Sequence, residues 1–470
     1  MQPTRLNHLE SAWCLTRFLF DPLGTLARCH RERGRVVIIT APIRWPIKRR
    51  SRHSKPFIIS GVGADFNRAV LSDPTIWRTR SLGPGGPRGS AAREVSTGIF
   101  SLHDETHKHY RSLIVPPLSQ RSISAQSSRM GDLAAAEVER WPIHETIDLW
   151  AYSRRLIQTL SISLLFGNDR ERGLPVAELV DHFYNHAFSW KVFLCPFNVR
   201  GAPYHDMLRD GRHLKVRLLD WLKRKRGSAD SNDLFAIVAN NPDEKGRSLS
   251  DIETIGHIPP LMVAAFETCQ NALMWTLVLL CQHPKVARDL LDELEGRLAG
   301  ATPSVDRIGD LPLFDGVINE SLRLFPPVPQ QFRVAARDTT IGDIPVAQGT
   351  KAVLSPFLTN RDPDLYPDPD CFKPERWANL NPSLYEFFRF SAGPYTCPGS
   401  NFGTSLLKVM VATILTRFRV ALAPDIPIDY KVTLTLTPQG RIPATLFPQD
   451  RAFAGSHVRG SIRKLVQLPN

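Results

Sequence analysis

The segment Phe390–Gly399 reads FSAGPYTCPG, and its cysteine, Cys397, stands between glycine and proline residues. It is followed by Gly403–Arg419, whose apolar periodicity predicts a helix. Cys397 is therefore expected in a tight loop near a helix N-terminus, where backbone N–H groups and the helix dipole favour a thiolate over a thiol. A thiolate is a strong ligand for a metal ion or a haem iron. The alternative is a small buried cysteine in a turn, so the rest of the chain has to decide between the two.

The same segment resembles the haem-binding loop of the cytochrome P-450 family, F-x-x-G-x-(R/H)-x-C-x-G. Phe390, Gly393, Cys397 and Gly399 match this pattern, while Tyr395 stands where the family usually has Arg or His. The resemblance implies that these five residues contact haem b and that Cys397 is its proximal iron ligand. A phenol can donate one neutral hydrogen bond but carries no positive charge, so we expect the haem propionates to depend more on other residues.

A second pair of motifs resembles the same family. Glu320-Ser-Leu-Arg323 is similar to its E-x-x-R helix, because a spacing of three places both charges on one helix face. Downstream, Phe372–Trp377 reads FKPERW and resembles the segment whose arginine, here Arg376, joins that pair. The resemblance implies that Glu320, Arg323 and Arg376 form a buried structural cluster, which locks the loop that carries Cys397.

A long apolar stretch, Leu261–Cys281, carries polar residues at its centre, which favours a buried helix over a membrane span. Within it, residues 264–268 read AAFET and resemble the family's (A/G)-G-x-(D/E)-T motif on the distal side of the haem. The resemblance implies that Ala264 leaves room for O2 and that Glu267 and Thr268 are catalytic residues supplying protons. The alternative is a polar pair that faces solvent.

Three further residues are candidates for the haem propionates, which need cationic or hydrogen-bonding partners. His107 and Arg111 are one helical turn apart and resemble the family's H-x-x-x-R helix. Arg333 matches the position after E-x-x-R where the family has another propionate-binding arginine. Each of these residues, taken alone, would be interpreted as a surface charge.

The order and spacing of these motifs identify the chain as a soluble, bacterial-type member of the cytochrome P-450 superfamily. The resemblance implies a mainly α fold with a minor β portion, formed as one large domain over residues 1–470. Its expected parts are an N-terminal β-hairpin region at 33–62, a helical part at 104–300 with a long central helix at about 259–281, the E-x-x-R helix at 313–325, and the haem-binding loop with its following helix at 385–419. We also predict a C-terminal hairpin formed by Val432–Leu436 and Ile442–Phe447.

The composition excludes a disordered chain, because 42% of the 470 residues are hydrophobic and only 22% are charged. The seven cysteines are odd in number and form no CxxC pair, so neither a zinc ribbon nor a disulfide scaffold is supported. A reducing compartment fits this usage, and the N-terminus shows no signal peptide. We therefore expect a cytoplasmic protein.

The net charge is +13, and its densest part is the basic run at residues 44–52, which reads RWPIKRRSR. Three interpretations are open: a solvated hairpin tip, weak peripheral contact with an anionic membrane, and nucleic-acid binding. No nucleic-acid motif accompanies the run, so we expect no nucleic-acid partner.

The resemblance implies a haem-thiolate monooxygenase that inserts one oxygen atom from O2 into a hydrophobic organic substrate. Electrons are expected from a separate ferredoxin or flavodoxin with its reductase, so that NAD(P)H acts only indirectly, and we expect a monomer. The alternatives are a haem-thiolate enzyme that uses peroxide or couples radicals, and a non-catalytic haem protein that binds a ligand.

The resemblance also places several segments around the substrate pocket, among them the loop Ser81–Gly98. The apolar residues expected there are Phe266, Val328, Phe332, Leu434 and Leu436. They predict a hydrophobic molecule of secondary metabolism, with a terpenoid, fatty acyl, aromatic or polyketide scaffold. The sequence does not choose among these.

Overall fold

The computed structural model describes residues 2–40, 56–79, 85–189, 191–192, 195–226 and 233–469. It is 54% helical, with a minor strand portion. This confirms the prediction of a mainly α fold with a small β component. Most of the buried apolar side chains form one large core, which the helices share.

The central helix, Asp251–Gln282, runs through this core. The helix begins earlier than the predicted position 259. Because proline normally ends a helix, Pro259 and Pro260 indicated a boundary, but both lie inside this helix. Its true start is marked by Ser250, whose side chain accepts from the Glu253 N–H while the Glu253 carboxylate accepts from the Ser250 N–H. By length and composition this helix could cross a membrane, but 78% of its most apolar window is buried inside the protein.

The other helices surround the central one, which packs most closely on Leu149–Leu165 and Ser400–Arg417. In chain order the helices outside the centre are His8–Phe18, Pro22–Arg33, Ala64–Leu71, Ala91–Glu94, Asp104–Ile114, Gln120–Ala125, Ser127–Val138, Leu149–Leu165, Arg170–Ala187, Pro203–Lys225, Leu234–Asn240, Pro284–Leu298, Val305–Ile308, Pro312–Leu324, Pro356–Thr359 and Ser400–Arg417.

A six-stranded sheet stands beside the helical part. Its strands are ordered Thr4–Arg5, Val36–Ile39, Ile58–Gly61, Lys351–Leu354, Gln331–Ala335 and Trp77–Arg78. The N-terminal hairpin is present, with Val36 opposite Gly61 in an antiparallel register. The basic run at residues 44–52 lies outside the described residues. The strand Gln331–Ala335 carries Arg333 towards the site described below.

The predicted C-terminal hairpin is wrong in its pairing. Asp429–Val432 pairs with Leu436–Gln439, because Thr433–Thr435 is enough to turn the chain, and Pro443–Pro448 pairs with Phe418–Leu422 instead. The remaining strands are Thr146–Asp148, Thr339–Ile341, Ile344–Val346, Ile426–Pro427 and Val458–Arg459. The chain therefore forms a short hairpin, Asp429–Gln439, whose closing turn lies next to the central helix.

Candidate active site

The cysteine loop has a backbone geometry that depends on its glycines. The Cys397 N–H donates to the Phe390 carbonyl at 2.8 Å, which closes the loop. Gly393 has a φ of 68°, and a Cβ at this position would lie 2.1 Å from the Leu71 carbonyl oxygen. Only glycine fits there, since a side chain would be strained in φ and would collide with backbone. Gly399 precedes the helix Ser400–Arg417 and is its N-cap residue.

The electrostatics of Cys397 differ from the expectation based on the helix N-terminus alone. Burial raises the pKa of its thiol, while a hydrogen bond from the Gly399 N–H and the charge of Arg111 lower it. Burial is the largest of these effects. A thiol that coordinates a metal cation is deprotonated, so the site suits a thiolate that forms together with a bound iron.

Arg333 is a buried cation beside this loop. It is 6% exposed and donates to the Phe332 carbonyl at 3.0 Å and to Gln331 Oε1 at 3.3 Å, while its Nε has no partner among the described residues. Its guanidinium carbon lies 5.6 Å from the centre of the Tyr395 ring. Burial lowers the pKa of Arg333 to about 10, so it remains charged at neutral pH.

His107 and Arg111 approach the same loop from the helix Asp104–Ile114. The His107 ring is 4.9 Å from the Tyr395 ring, and Arg111 Nη2 donates to the Thr396 carbonyl at 2.6 Å. Burial lowers the pKa of His107, so its imidazole offers a hydrogen bond rather than a charge. The structure therefore brings together the predicted propionate ligands around the residues before Cys397.

These groups fit a haem. Within the described ranges, neither Arg111 nor Arg333 forms an ion pair with a carboxylate, although Arg333 is buried and Arg111 is half-buried. A buried guanidinium without an anion is costly. The two carboxylates of haem supply anions beside a cysteine that can ligate its iron, and the orphaned Nε of Arg333 offers an unused donor.

The distal motif lies on the central helix. Thr268 Oγ1 donates to the Ala264 carbonyl at 2.6 Å, so these two residues share a helix face. Glu267 accepts from Thr435 Oγ1 at 2.5 Å, and burial raises the pKa of its carboxyl group. A Cβ built at Gly403 would lie 3.7 Å from the sulfur of Cys269. The central helix therefore contacts the helix that follows Cys397, directly after the Glu267–Thr268 pair.

Glu320 is the centre of a buried ion cluster. Arg323 donates to both of its carboxylate oxygens at 2.8 Å, and both side chains are fully buried. Arg376 Nε donates at 3.0 Å, the Lys373 N–H at 3.0 Å and Trp377 Nε1 at 2.9 Å. The predicted residues meet, and the sequence reasoning missed Trp377, whose only signal was its place next to Arg376.

A short chain of hydrogen bonds connects this cluster to the cysteine loop. Arg323 Nη1 donates to the Asn360 carbonyl at 2.9 Å, and Asn360 Oδ1 accepts from the Phe388 N–H at 3.0 Å. Phe388 stands two residues before Phe390, whose carbonyl accepts from Cys397. Asn360 is a second residue that the motif comparison did not single out.

Phe266 and Phe332 have packing partners outside the expected pocket, and their place in it stays a prediction. Phe266 is 2% exposed and meets Phe166 edge-on at 6.2 Å, because a step of two residues from Ala264 leads to the opposite side of the helix. Phe332 is 47% exposed and packs on Phe18 at 6.4 Å, because neighbouring residues of a strand point to opposite faces and Arg333 takes the inner one.

The other pocket residues also remain predictions. Val328 and Leu434 are half-buried, and Leu434 lies in the turn of the hairpin Asp429–Gln439, while Leu436 is fully buried. The first residues of the predicted loop Ser81–Gly98 lie outside the described residues, and its later part includes the helix Ala91–Glu94.

Fold and site together define a haem-thiolate protein. The family model described as Cytochrome P450 matches residues 91–442, which is most of the chain. This chain belongs to the cytochrome P450 family, in which a cysteine thiolate binds the haem iron, and it is a monooxygenase.

Similar proteins agree with this assignment. Cyclooctat-9-en-7-ol 5-monooxygenase of Streptomyces melanosporofaciens is 27% identical over 76% of this chain and 79% of its own length. Pentalenene oxygenase of Streptomyces avermitilis is 26% identical over 74% and 79%. Among solved structures, retinoic acid bound cyanobacterial CYP120A1 has a TM-score of 0.78 at 20% identity, over 93% of this chain and 96% of that one, which shows the same fold.

Proposed function

We propose that this monooxygenase inserts one oxygen atom from O2 into a hydrophobic organic substrate bound on the distal side of haem b. The observation that carries the proposal is the meeting of two helices: the one bearing Glu267 and Thr268, and the one that follows Cys397. Mass spectrometry of the product formed under ¹⁸O2 tests it. One ¹⁸O atom in the product is expected, and label derived only from water or peroxide would favour the peroxide-using alternative.

Each predicted residue has a role in this proposal. The haem, when bound, supplies the binding and activation of O2. In the haem-bound protein, Cys397 would ligate the iron, and Arg111 and Arg333 would pair with the propionates, with His107 and Tyr395 alongside. The Phe390 carbonyl, which accepts from the Cys397 N–H, and the backbone of Gly393 and Gly399 hold the cysteine loop in place.

On the distal side, Ala264 would leave space for O2 beside a bound haem, because its side chain is a single methyl group. The Thr268 hydroxyl holds a proton at Oγ1, which its bond to the Ala264 carbonyl orients. We assign proton delivery to Glu267, since burial raises the pKa of its carboxyl group and thereby favours the protonated form. Retention of both residues favours O2 activation over direct use of peroxide.

We propose that electrons come from a ferredoxin or a flavodoxin with its reductase, so that NAD(P)H is consumed only indirectly. The charge of the chain supports this, since +13 complements the acidic surface of such donors. Turnover reconstituted with each donor in turn, at low and high salt, tests the assignment. A cytoplasmic location fits the seven cysteines, none of which forms a disulfide in the described structure. We also propose that the protein is a monomer.

We propose a terpenoid as the substrate class. Relatives named for cyclooctat-9-en-7-ol, pentalenene and, in Solanum lycopersicum, beta-amyrin support this choice among the four scaffolds left open by the sequence. A binding screen with terpenoid, fatty acyl, aromatic and polyketide compounds tests it. A low-to-high-spin shift of the haem spectrum confined to terpenoids is expected, and a shift confined to another class would contradict the proposal.

A further inference from the structure

We propose that Thr435 is a positioning residue that holds the Glu267 carboxylate against the turn of the C-terminal hairpin and thereby controls proton delivery. The inference rests on the proposed role of Glu267. It comes from the contacts between the central helix and the hairpin Asp429–Gln439, which no sequence motif indicates.

Three residues of the central helix form a row of bonds to this hairpin. Glu267, Asn271 and Trp275 are spaced by four, so they lie on one helix face. Glu267 accepts from Thr435 at 2.5 Å, and Trp275 Nε1 donates to the Leu436 carbonyl at 2.9 Å. Between them, Asn271 Nδ2 donates to a hydroxyl of the hairpin at 3.2 Å. The hairpin is thus held along two turns of the helix.

The hydroxyl bonded by Asn271 belongs to Thr437, which stands two residues after Thr435 in the hairpin. Thr435 is fully buried and Thr437 is 6% exposed, and their hydroxyl oxygens are 2.9 Å apart. Two residues of extended chain span about 6.6 Å and one helical turn about 5.4 Å, so these two threonines match the spacing of Glu267 and Asn271.

The chemistry of these four side chains fixes which group donates in each hydrogen bond of the row. An amide nitrogen can only donate, and each hydroxyl has one proton to give. Asn271 therefore donates to Thr437, Thr437 donates to Thr435, and Thr435 donates to Glu267. Every proton points towards the carboxylate, so this row of hydrogen bonds stabilises the ionised form of Glu267 and opposes the effect of burial on its pKa.

Three charged groups from neighbouring elements also act on Glu267. Asp181, on the helix Arg170–Ala187, raises its pKa, whereas Lys431 of the hairpin and Arg154 of the helix Leu149–Leu165 lower it. Arg154 is paired with Asp181, so their effects partly cancel. The hydrogen bond from Thr435 is the largest influence that favours the carboxylate.

The test compares Thr435→Val, which removes the hydroxyl and keeps the shape, with Thr435→Ser, which keeps the hydroxyl. Thr433→Val is the matched control, because Thr433 stands in the same turn and is exposed. Infrared titration of the protonated carboxyl band, assigned by its loss in Glu267→Gln, gives a readout independent of turnover. We expect Thr435→Val to raise the midpoint by about one pH unit, the size of one hydrogen bond. The serine variant and the control should keep the parent midpoint.

Turnover gives the second readout. The fraction of NAD(P)H converted to product should fall severalfold in Thr435→Val and should fall no further when Glu267→Gln is combined with it. If Thr435→Val does not bind haem, Thr437→Val removes the donor behind Thr435 and should raise the midpoint by a smaller amount.

The outcomes separate this inference from the proposed function. A parent-like midpoint and coupling in Thr435→Val, together with poor coupling in Glu267→Gln, would overturn the inference alone. Full coupling in Glu267→Gln would overturn the proposed role of Glu267 and the inference with it.

Discussion

The Arg333 guanidinium carbon lies 5.6 Å from the centre of the Tyr395 ring. Tyr395 is the residue at which the cysteine loop departs from the family pattern. An aromatic face attracts a cation at this distance. Tyr395 therefore contributes no charge of its own, but its ring packs against the neighbouring cation Arg333.

We expect Arg333→Gln to weaken haem binding, because one charge-assisted hydrogen bond is worth about 2 kcal/mol. Haem loss to apomyoglobin should become at least about tenfold faster. Arg337→Gln is the matched control, since Arg337 follows the same strand and is exposed. Equal rates of haem loss in both variants would contradict a propionate role for Arg333.

Cys397→Ser should abolish the absorption band near about 450 nm that the reduced protein shows with CO, because that band requires a thiolate ligand. Cys269→Ser is the control. Cys269 lies near the helix Ser400–Arg417, which follows Cys397. Burial raises the pKa of the Cys269 thiol to about 12, and we expect Cys269→Ser to keep the band. A normal band in Cys397→Ser would end the assignment.

Thr268→Ala should keep haem and substrate binding but uncouple turnover, because it removes the hydroxyl that donates to Ala264. NAD(P)H consumption should continue while product falls and hydrogen peroxide rises. Thr268→Ser should retain most of the coupling. Parent-like coupling in the alanine variant would show that Thr268 is not needed for proton delivery.

Glu320→Gln should destabilise the fold by about 3–5 kcal/mol, because it leaves the charges of Arg323 and Arg376 without their carboxylate. Urea unfolding measures this. Glu105→Gln removes the carboxylate of an exposed pair with Lys108 and should change stability little. Equal losses of unfolding free energy in Glu320→Gln and Glu105→Gln would contradict a structural role for the cluster.

Contact of the basic run at residues 44–52 with an anionic membrane can be tested by cosedimentation with liposomes. Its five basic residues, at about 1 kcal/mol each near an anionic surface, should bring the protein down with anionic liposomes at low salt and release it at high salt. Replacing Arg44, Lys48, Arg49, Arg50 and Arg52 by Ser should abolish the cosedimentation, and neutral liposomes are the control. Absence of binding at low salt would favour the solvated tip.

The motifs that name the family were predictable from the sequence because their geometry is local. A spacing of three on a helix brings Glu320 and Arg323 together, and a spacing of four does the same for Ala264 and Thr268. The positive φ of Gly393 is likewise a property of one residue's own backbone. Short-range geometry follows from the order of residues, so each of these features could be expected without a fold.

The direction that a side chain faces and the identity of its distant partners could be determined only from the tertiary structure. Phe332 appeared suitable for a pocket by its chemistry, yet the pleat of its strand and the inward Arg333 turn it outward. Glu267 and Thr435 are 168 residues apart, and only the packing of the hairpin on the central helix makes them partners. Contacts of this kind depend on how whole elements pack, and no local pattern of residue types carries that information.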